Sequence, residues 1–277
     1  MKFRLLSVSA LLITLCSLSG FGAGGITGTL TINGKTFSEL HVNALLHDNA
    51  ERILPSPTQM RILVTDREMP VESIYGLVFL PVGDMGRRGK VEGVLLQFDP
   101  NKPGEVDYTV LTKQGLQTVT DKISIAELHV GSEKVSAVFD YVDNSFASFP
   151  EYPKVSFNFR IETPIKRPPA ITADLKGSEA LNSPQVKALR AIADATARGN
   201  FELLHKLYSA EAAMRNKEEI ARLGAGAKTR YIRIGRDLKK QIPAVKRVVV
   251  RGDWAIVILP GQWACTFVFE DGVWKGE

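Results

Sequence analysis

Apolar and polar residues alternate with a period of two through most of the first half of the chain, about Gly25 to Ile165. Ile26 to Phe37 alternates around Asn33-Gly34, a dipeptide suited to a two-residue hairpin because both central positions of that turn need positive φ. Val155, Phe157, Phe159 and Ile161 share one face of a later strand, with Ser156, Asn158 and Arg160 on the other. Strand-like runs also cover Glu39 to Leu46, Gln59 to Thr65, Leu77 to Leu80, Val91 to Phe98, Val106 to Leu111, Ile123 to His129, Val135 to Tyr141 and Lys154 to Ile161. Turn-rich stretches separate them at Asp48 to Pro57, Pro81 to Gly89, Asp99 to Gly104 and Asn144 to Pro153. Pro70 to Tyr75 suits one helical turn. Many short strands with turns between them predict an all-β antiparallel sandwich or barrel.

The period then changes. Thr163 to Pro184 holds Pro164, Pro168, Pro169, Gly177 and Pro184 without a periodic apolar pattern, and reads as a linker. Ser183-Pro184 is a helix start, with serine as N-cap and proline at the first helical position. Val186, Leu189, Ile192, Ala193 and Thr196 follow at helical spacing, Gly199 stops that helix and Asn200 caps the next. Phe201, Leu204 and Tyr208 share a face of the second helix. Helical stretches are also expected at Lys217 to Leu223 and Thr229 to Lys240. After Pro243 the period returns to two: Val245 to Val250, Trp254 to Leu259, Gln262 to Phe269 and Val273 to Lys275 are joined by Gly252-Asp253, Pro260-Gly261 and Asp271-Gly272. Helices first and a meander last make this half α+β. The expected organisation is a β-domain over 24–165, a linker over 166–183 and an α+β domain over 184–277.

The N-terminus changes the picture of where the protein works. Lys2 and Arg4 precede an uncharged apolar stretch from Leu5 to Leu18, and the small residues Ser19, Gly20, Gly22, Ala23, Gly24 and Gly25 follow. These are the three parts of a secretory signal peptide, placed at residues 1–23. The apolar run is short of the roughly 20 residues that span a bilayer. Export to the periplasm or the extracellular space is therefore expected, with cleavage between Gly20 and Gly24. Lipid anchoring through Cys16 is the less favoured alternative, because Leu15 rather than a small residue precedes it. Loss of the leader leaves Cys265 as the single cysteine, so the fold rests on its core without an internal disulfide. The formal charge of +5 falls to +3 when Lys2 and Arg4 leave, a mild balance that does not point to nucleic acid.

Two resemblances follow from short motifs. Ala193, Ala197-Arg198-Gly199-Asn200, Leu203, Leu207-Tyr208, Ala210-Glu211-Ala212 and the terminal Gly272-Val273-Trp274-Lys275 resemble the nuclear transport factor 2-like superfamily, which includes ketosteroid isomerase and polyketide cyclases. That resemblance implies a cone-like α+β fold with a pocket between helix and sheet, and frequent dimerisation through the curved sheet. One fold hosts many functions, so it transfers no activity. Gly28 to Lys35, His41 to Ala44 and Thr65 to Pro70 resemble the N-terminal domain of a group of bacterial exported proteins of unknown function.

Candidate chemistry is sparse. Asp194 and Arg190 stand i, i+4 and are expected to pair on the helix surface. His205 falls beside Glu202 and Lys206, away from the apolar face. Tyr208 and Trp263 are the candidate ligand-pocket residues of the C-terminal part. Cys265 is placed in the core with Phe267 and Phe269, where thiols are inert. The four histidines, His41, His47, His129 and His205, lack metal-ligand spacing, and Asp99 to Glu105 departs from a calcium loop. Gly83 to Lys90 lacks the Gly-Lys-Ser/Thr ending of a phosphate loop. Arg251-Gly252-Asp253 matches an adhesion tripeptide, but a hairpin turn explains it. Among Phe139, Tyr141, Phe146, Phe149 and Tyr152, Phe146 and Phe149 are the candidates for a partner-binding loop. No catalytic, cofactor-binding or metal-binding set is legible. The expected function is an exported, non-catalytic binding or cell-envelope protein for a small molecule, glycan or protein. The alternative is an isomerase-, dehydratase- or cyclase-type enzyme in the C-terminal cone.

Overall fold

The computed structural model describes residues 25–51, 57–76, 80–103, 106–142 and 152–277. The first element is a hairpin of β1 (Gly25–Ile32) and β2 (Lys35–Phe37), turned by Asn33 at φ 52° and Gly34 at φ 79°. Next come β3 (His41–His47) and β4 (Gln59–Thr65), a single 3-10 turn at Val71–Ile74, and α1 (Leu80–Arg87). Five strands follow: β5 (Gly93–Phe98), β6 (Val106–Thr112), β7 (Gly115–Asp121), β8 (Ser124–Val130) and β9 (Lys134–Val142). The long β10 (Val155–Lys166) completes a ten-stranded sheet in which neighbours are antiparallel except for a short parallel contact of Ile165 and Lys166 with β3.

This sheet curls, and alternation explains how. Met60, Ile62 and Val64 of β4, Tyr108 of β6, Phe139 and Tyr141 of β9, and Phe157, Phe159 and Ile161 of β10 all enter one core. Across that core the Tyr108 and Tyr141 hydroxyls meet at 3.0 Å, so β6 and β9 face each other. The opposite faces of β3 to β6 supply Leu45, Leu63, Leu95 and Leu111 to a second cluster under the 3-10 turn and α1. Strands whose two faces are both covered carry continuous apolar runs, here Ile62 to Val64 within a strand buried from Met60 to Thr65.

Residues 167–172 carry no regular structure, and β11 (Ala173–Lys176) and α2 (Gly177–Asn182) follow within the stretch read from sequence as a linker. Then come α3 (Pro184–Ala197), α4 (Phe201–Leu207), α5 (Ala210–Leu223) and α6 (Ala225–Gln241). Ser183 caps α3 by accepting from the Val186 N–H at 3.2 Å, and Asn200 caps α4 by accepting from Leu203 N–H at 3.1 Å. The chain ends in the meander β12 (Arg247–Arg251), β13 (Trp254–Ile258), β14 (Ala264–Glu270) and β15 (Val273–Gly276), which with β11 forms a five-stranded antiparallel sheet. Its inward face, with Val248, Val250, Ala255, Val257 and Phe267, packs on Val186, Leu189 and Ile192 of α3. α6 crosses α3 at Gly235, where a Cβ would stand 2.5 Å from the Ala197 backbone nitrogen. Among the described residues no helix is long and apolar enough to cross a membrane.

Besides the expected linker, which holds β11 and α2, two further sequence readings change. Leu77 to Leu80 was expected as strand and Pro81 to Gly89 as turn, yet residues from Leu80 form α1. Gly83 serves there as a close-packing position, since a Cβ on it would meet the Leu116 side chain at 2.5 Å, whereas one on Gly86 would stand at an ordinary contact distance of 3.4 Å from the Thr112 backbone. α5 begins at Ala210 rather than near Lys217, capped by Ser209, which accepts from Ala212 N–H at 3.2 Å.

Candidate functional site

The part of the chain built on the ten-stranded sheet and the C-terminal part meet at two polar places of opposite character. The first is buried. β12 alternates Val248 and Val250 toward the helices with Arg247, Val249 and Arg251 on the other face, and that face receives the chain leaving β3 at His47 to Glu51. Arg251 is 1% exposed and Glu51 2%. The Arg251 guanidinium donates to Glu51 Oε1 (2.5 Å), Asp48 Oδ1 (2.6 Å) and the Pro169 carbonyl (2.7 Å). Arg247 donates to the Ala50 and Glu51 carbonyls at 3.1 and 3.2 Å while its fork holds both oxygens of Asp174. Arg61, also fully buried, donates through Nη1 to the carbonyls of Ile74, Tyr75 and Gly76, and burial brings its pKa down to about 9.

His47 completes this cluster. Its Nδ1 accepts from the Asn49 N–H at 3.0 Å, and its Nε2 stands 4.0 Å from Glu51 Oε2. Neither Nε2 nor Oε2 has a hydrogen-bond partner among the described residues. Burial, then the Arg61 charge, pushes the His47 pKa down to about 3, so the ring is neutral at physiological pH. His47, Asp48 and Glu51 offer ligand atoms within 4.8 Å of one another, a spacing a metal ion could use. Their chemistry fits a cation poorly. With Nδ1 accepting, the neutral ring carries its hydrogen on Nε2, and a ligating nitrogen needs a free lone pair. One oxygen of each carboxylate is already taken by Arg251. The guanidinium supplies the positive charge that a metal would bring.

The second place is open. α1 presents Asp84, which is 3% exposed and held by Arg87 of its own helix and by Arg215 of α5 at 2.8 Å. The Asp84–Arg215 bond spans 131 positions of sequence and joins the α1 side of the ten-stranded sheet to the C-terminal helices. Beside it lies a cleft of about 570 Å³, walled by α1, by Lys113, Gln114, Gly115 and Leu116 at the β6–β7 turn, and by α5. Arg87, Arg88, Lys113, Arg215 and Arg222 line it against the carboxylates Asp84, Glu218 and Glu219. Arg88 approaches Glu218 at 3.4 Å, and Glu219 accepts from the Tyr231 hydroxyl at 2.7 Å. Lys113 and Arg222 have no ion pair among the described residues. The cleft therefore holds a surplus of guanidinium and ammonium donors, the groups that match carboxylate and phosphate oxygens. Its volume falls in the range of small-ligand sites.

The residues singled out from sequence are scattered relative to this cleft. Tyr208 packs against the core between α3 and the five-stranded sheet, and desolvation pushes its phenol up to about 12. Trp263 lies ahead of β14 and is 68% exposed, outside that packed set. Phe146 and Phe149 lie outside the described residues, as do Cys16 and the leader. Asp194 pairs with Lys239 of α6 at 2.6 Å instead of with Arg190, because α6 packs along α3. His205 is half-buried, its Nε2 enclosed, with a pKa lowered by burial and then by Lys217. Cys265 packs on the core, where burial pushes its thiol up to about 11. Arg251, the first residue of the tripeptide at 251–253, is buried in the cluster above. No reading of the sequence reached the cleft.

Comparison with models of protein families, with curated proteins and with solved structures finds no match for this chain.

Proposed function

We propose that this is an exported, non-catalytic binding protein whose ligand is a small anionic molecule held in the cleft between α1, the β6–β7 turn and α5. One observation carries the reading. A cleft of about 570 Å³ is lined by five cationic side chains against three carboxylates, and the deepest carboxylate, Asp84, is neutralised by Arg87 and Arg215. An anion entering it meets Lys113 and Arg222, which have no ion pair among the described residues. Separate apolar clusters for the ten-stranded sheet and for the helices with the five-stranded sheet support a division into a β-sandwich-like domain and a nuclear transport factor 2-like domain. The leader-like N-terminus supports export.

Thermal shift followed by calorimetry on the purified protein tests the reading. The panel is inorganic phosphate, citrate and a sugar phosphate, each beside an uncharged counterpart. A saturable rise in melting temperature is expected for anions only, and it should disappear in the Lys113→Ala, Arg222→Ala double variant. Equal response to the uncharged compounds, or anion binding indifferent to those two residues, would remove the proposal.

A further inference from the structure

The positive charge of this protein sits in one place. The whole chain is formally +5, while residues 222–240 hold seven cations, Arg222, Lys228, Arg230, Arg233, Arg236, Lys239 and Lys240, against the single acid Asp237. That stretch is +6, so everything else sums to −1. It is the end of α5 and nearly all of α6. Such asymmetry concentrates the electrostatic potential on one surface instead of spreading it for solubility.

α6 divides cleanly. Ala227 and Gly235 are buried, with Tyr231, Ile232 and Leu238 half-buried beside them toward α3 and α5. Thr229, Arg233, Arg236 and Lys240 recur three or four positions apart on the exposed side, and Arg230 stands next to them. The other charges of the helix are spent: Lys239 pairs with Asp194 at 2.6 Å and Lys240 with Asp237 at 3.1 Å. Lys228, Arg230, Arg233 and Arg236 have no ion pair among the described residues. Ile234, one turn from Arg230, is 46% exposed, and Leu223 at the end of α5 is 41% exposed. Cations that line an exposed helical face beside an uncovered isoleucine match a bilayer interface, where basic side chains meet anionic headgroups and an apolar one enters the acyl boundary.

We propose that the exposed face of α6, through Arg230, Arg233 and Arg236 with Ile234, docks the protein peripherally on an anionic phospholipid surface. The docking face is independent of the cleft ligand, since Arg230, Arg233, Arg236 and Ile234 do not line the cleft. Attachment of this kind is reversible and salt-sensitive, and it needs no membrane-spanning segment.

Vesicle flotation with the full chain at about 0.1 M salt, where charges act over roughly 10 Å, tests the proposal. The vesicles are phosphatidylcholine alone and phosphatidylcholine with about a third phosphatidylglycerol, whose charge makes the surface anionic. Recovery on the anionic vesicles should exceed recovery on the neutral ones at least tenfold and collapse in high salt. The Arg230→Glu, Arg233→Glu, Arg236→Glu variant should lose at least tenfold in vesicle affinity. Ile234→Ser should lose a few-fold with its salt dependence unchanged. A circular-dichroism melt shows whether the variants are folded; for a variant that unfolds, single reversals at Arg233 or Arg236 carry the same comparison with a smaller loss. Absence of anionic-vesicle binding, equal binding to both vesicle types, or wild-type binding by the folded triple variant each overturns it. Retention on heparin without any vesicle binding does so too, and would reassign the face to a soluble polyanion.

Discussion

The buried cluster around Arg251 and the open cleft around Asp84 use the same chemistry to different ends. In each, one group of the C-terminal part meets an opposite charge contributed by the ten-stranded part: Arg251 with Glu51 and Asp48, Arg215 with Asp84. Around Arg251 both partners of the closest pair, Arg251 and Glu51, are removed from water, and only Asp48, the second carboxylate on Arg251, reaches solvent. Around Asp84 the carboxylate is buried, but Arg87 is 45% exposed along its side chain and Arg215 14%. Burial decides the role. A desolvated pair punishes the loss of either partner and so fixes how the parts meet. A pair at the floor of a solvent-filled cleft keeps donors available to an incoming ligand.

The largest expected consequence follows from breaking the buried pair. Glu51→Ala should cost up to about 3–5 kcal/mol in urea unfolding, because Arg251 is left charged and enclosed with the half-exposed Asp48 as its remaining counter-charge. Asp84→Ala should cost less, since water can reach the guanidinium of Arg87. A smaller cost for Glu51→Ala than for Asp84→Ala would invert the comparison.

Acid should attack the same cluster. The folded-state His47 pKa of about 3 lies below its ordinary value of 6.5, so between those values the unfolded chain binds a proton that the folded chain refuses. Stability from this group is fully present above 6.5 and declines as pH falls toward 3, with a slope of up to about 1.4 kcal/mol per pH unit. Asp48 acts in the same direction: burial opposes its ionisation, but the Ala50 N–H and Arg251 outweigh that and hold its pKa below the usual carboxylate value. Urea midpoints measured from pH 7 down to pH 4 should fall, and His47→Gln should flatten the fall. An unchanged profile in that variant would place the acid sensitivity elsewhere.

A purely steric contact calibrates these numbers. Gly235→Ala should lower stability by about 1–3 kcal/mol, the usual cost of forcing a methyl group into a filled contact. The added Cβ would press on the Ala197 backbone, which cannot swing aside. The smallest stability effects belong to the rim of the cleft. Lys113→Ala and Arg222→Ala should each change stability by no more than about 0.5 kcal/mol, as surface substitutions do, while weakening anion binding. A large stability loss at either would mean that the rim holds the parts together as the buried cluster does.

Local signals carried far in this chain. Asn33-Gly34 turns β1 into β2 because both residues adopt positive φ, as the dipeptide predicts. The alternation Val155, Phe157, Phe159, Ile161 places those four side chains in the core of the curled sheet. Ser183 and Asn200 cap the helices they were expected to start. Each of these needs only neighbours within a few positions. The helix at Leu80–Arg87 was misread for the complementary reason. Gly83 and Gly86 are poor helix formers in isolation, and Gly83 is tolerated where the Leu116 side chain packs against it too closely for a Cβ. Alternation placed Cys265 in the core with Phe267 and Phe269; Phe267 is buried and Cys265 half-buried against it, but Phe269, near the end of β14, is 42% exposed.

What the sequence determined by itself was therefore periodicity, caps and turns: a β-rich first half, helices and a meander in the second, and a basic stretch over 222–240. Tertiary structure alone decided the pairings that make sites. Glu51 and Arg251 are 200 positions apart and Asp84 and Arg215 are 131 apart. A charged residue has no periodicity that names its partner. Its strength depends on how much water the assembled fold removes from around it, and that is settled only when distant strands and helices have packed.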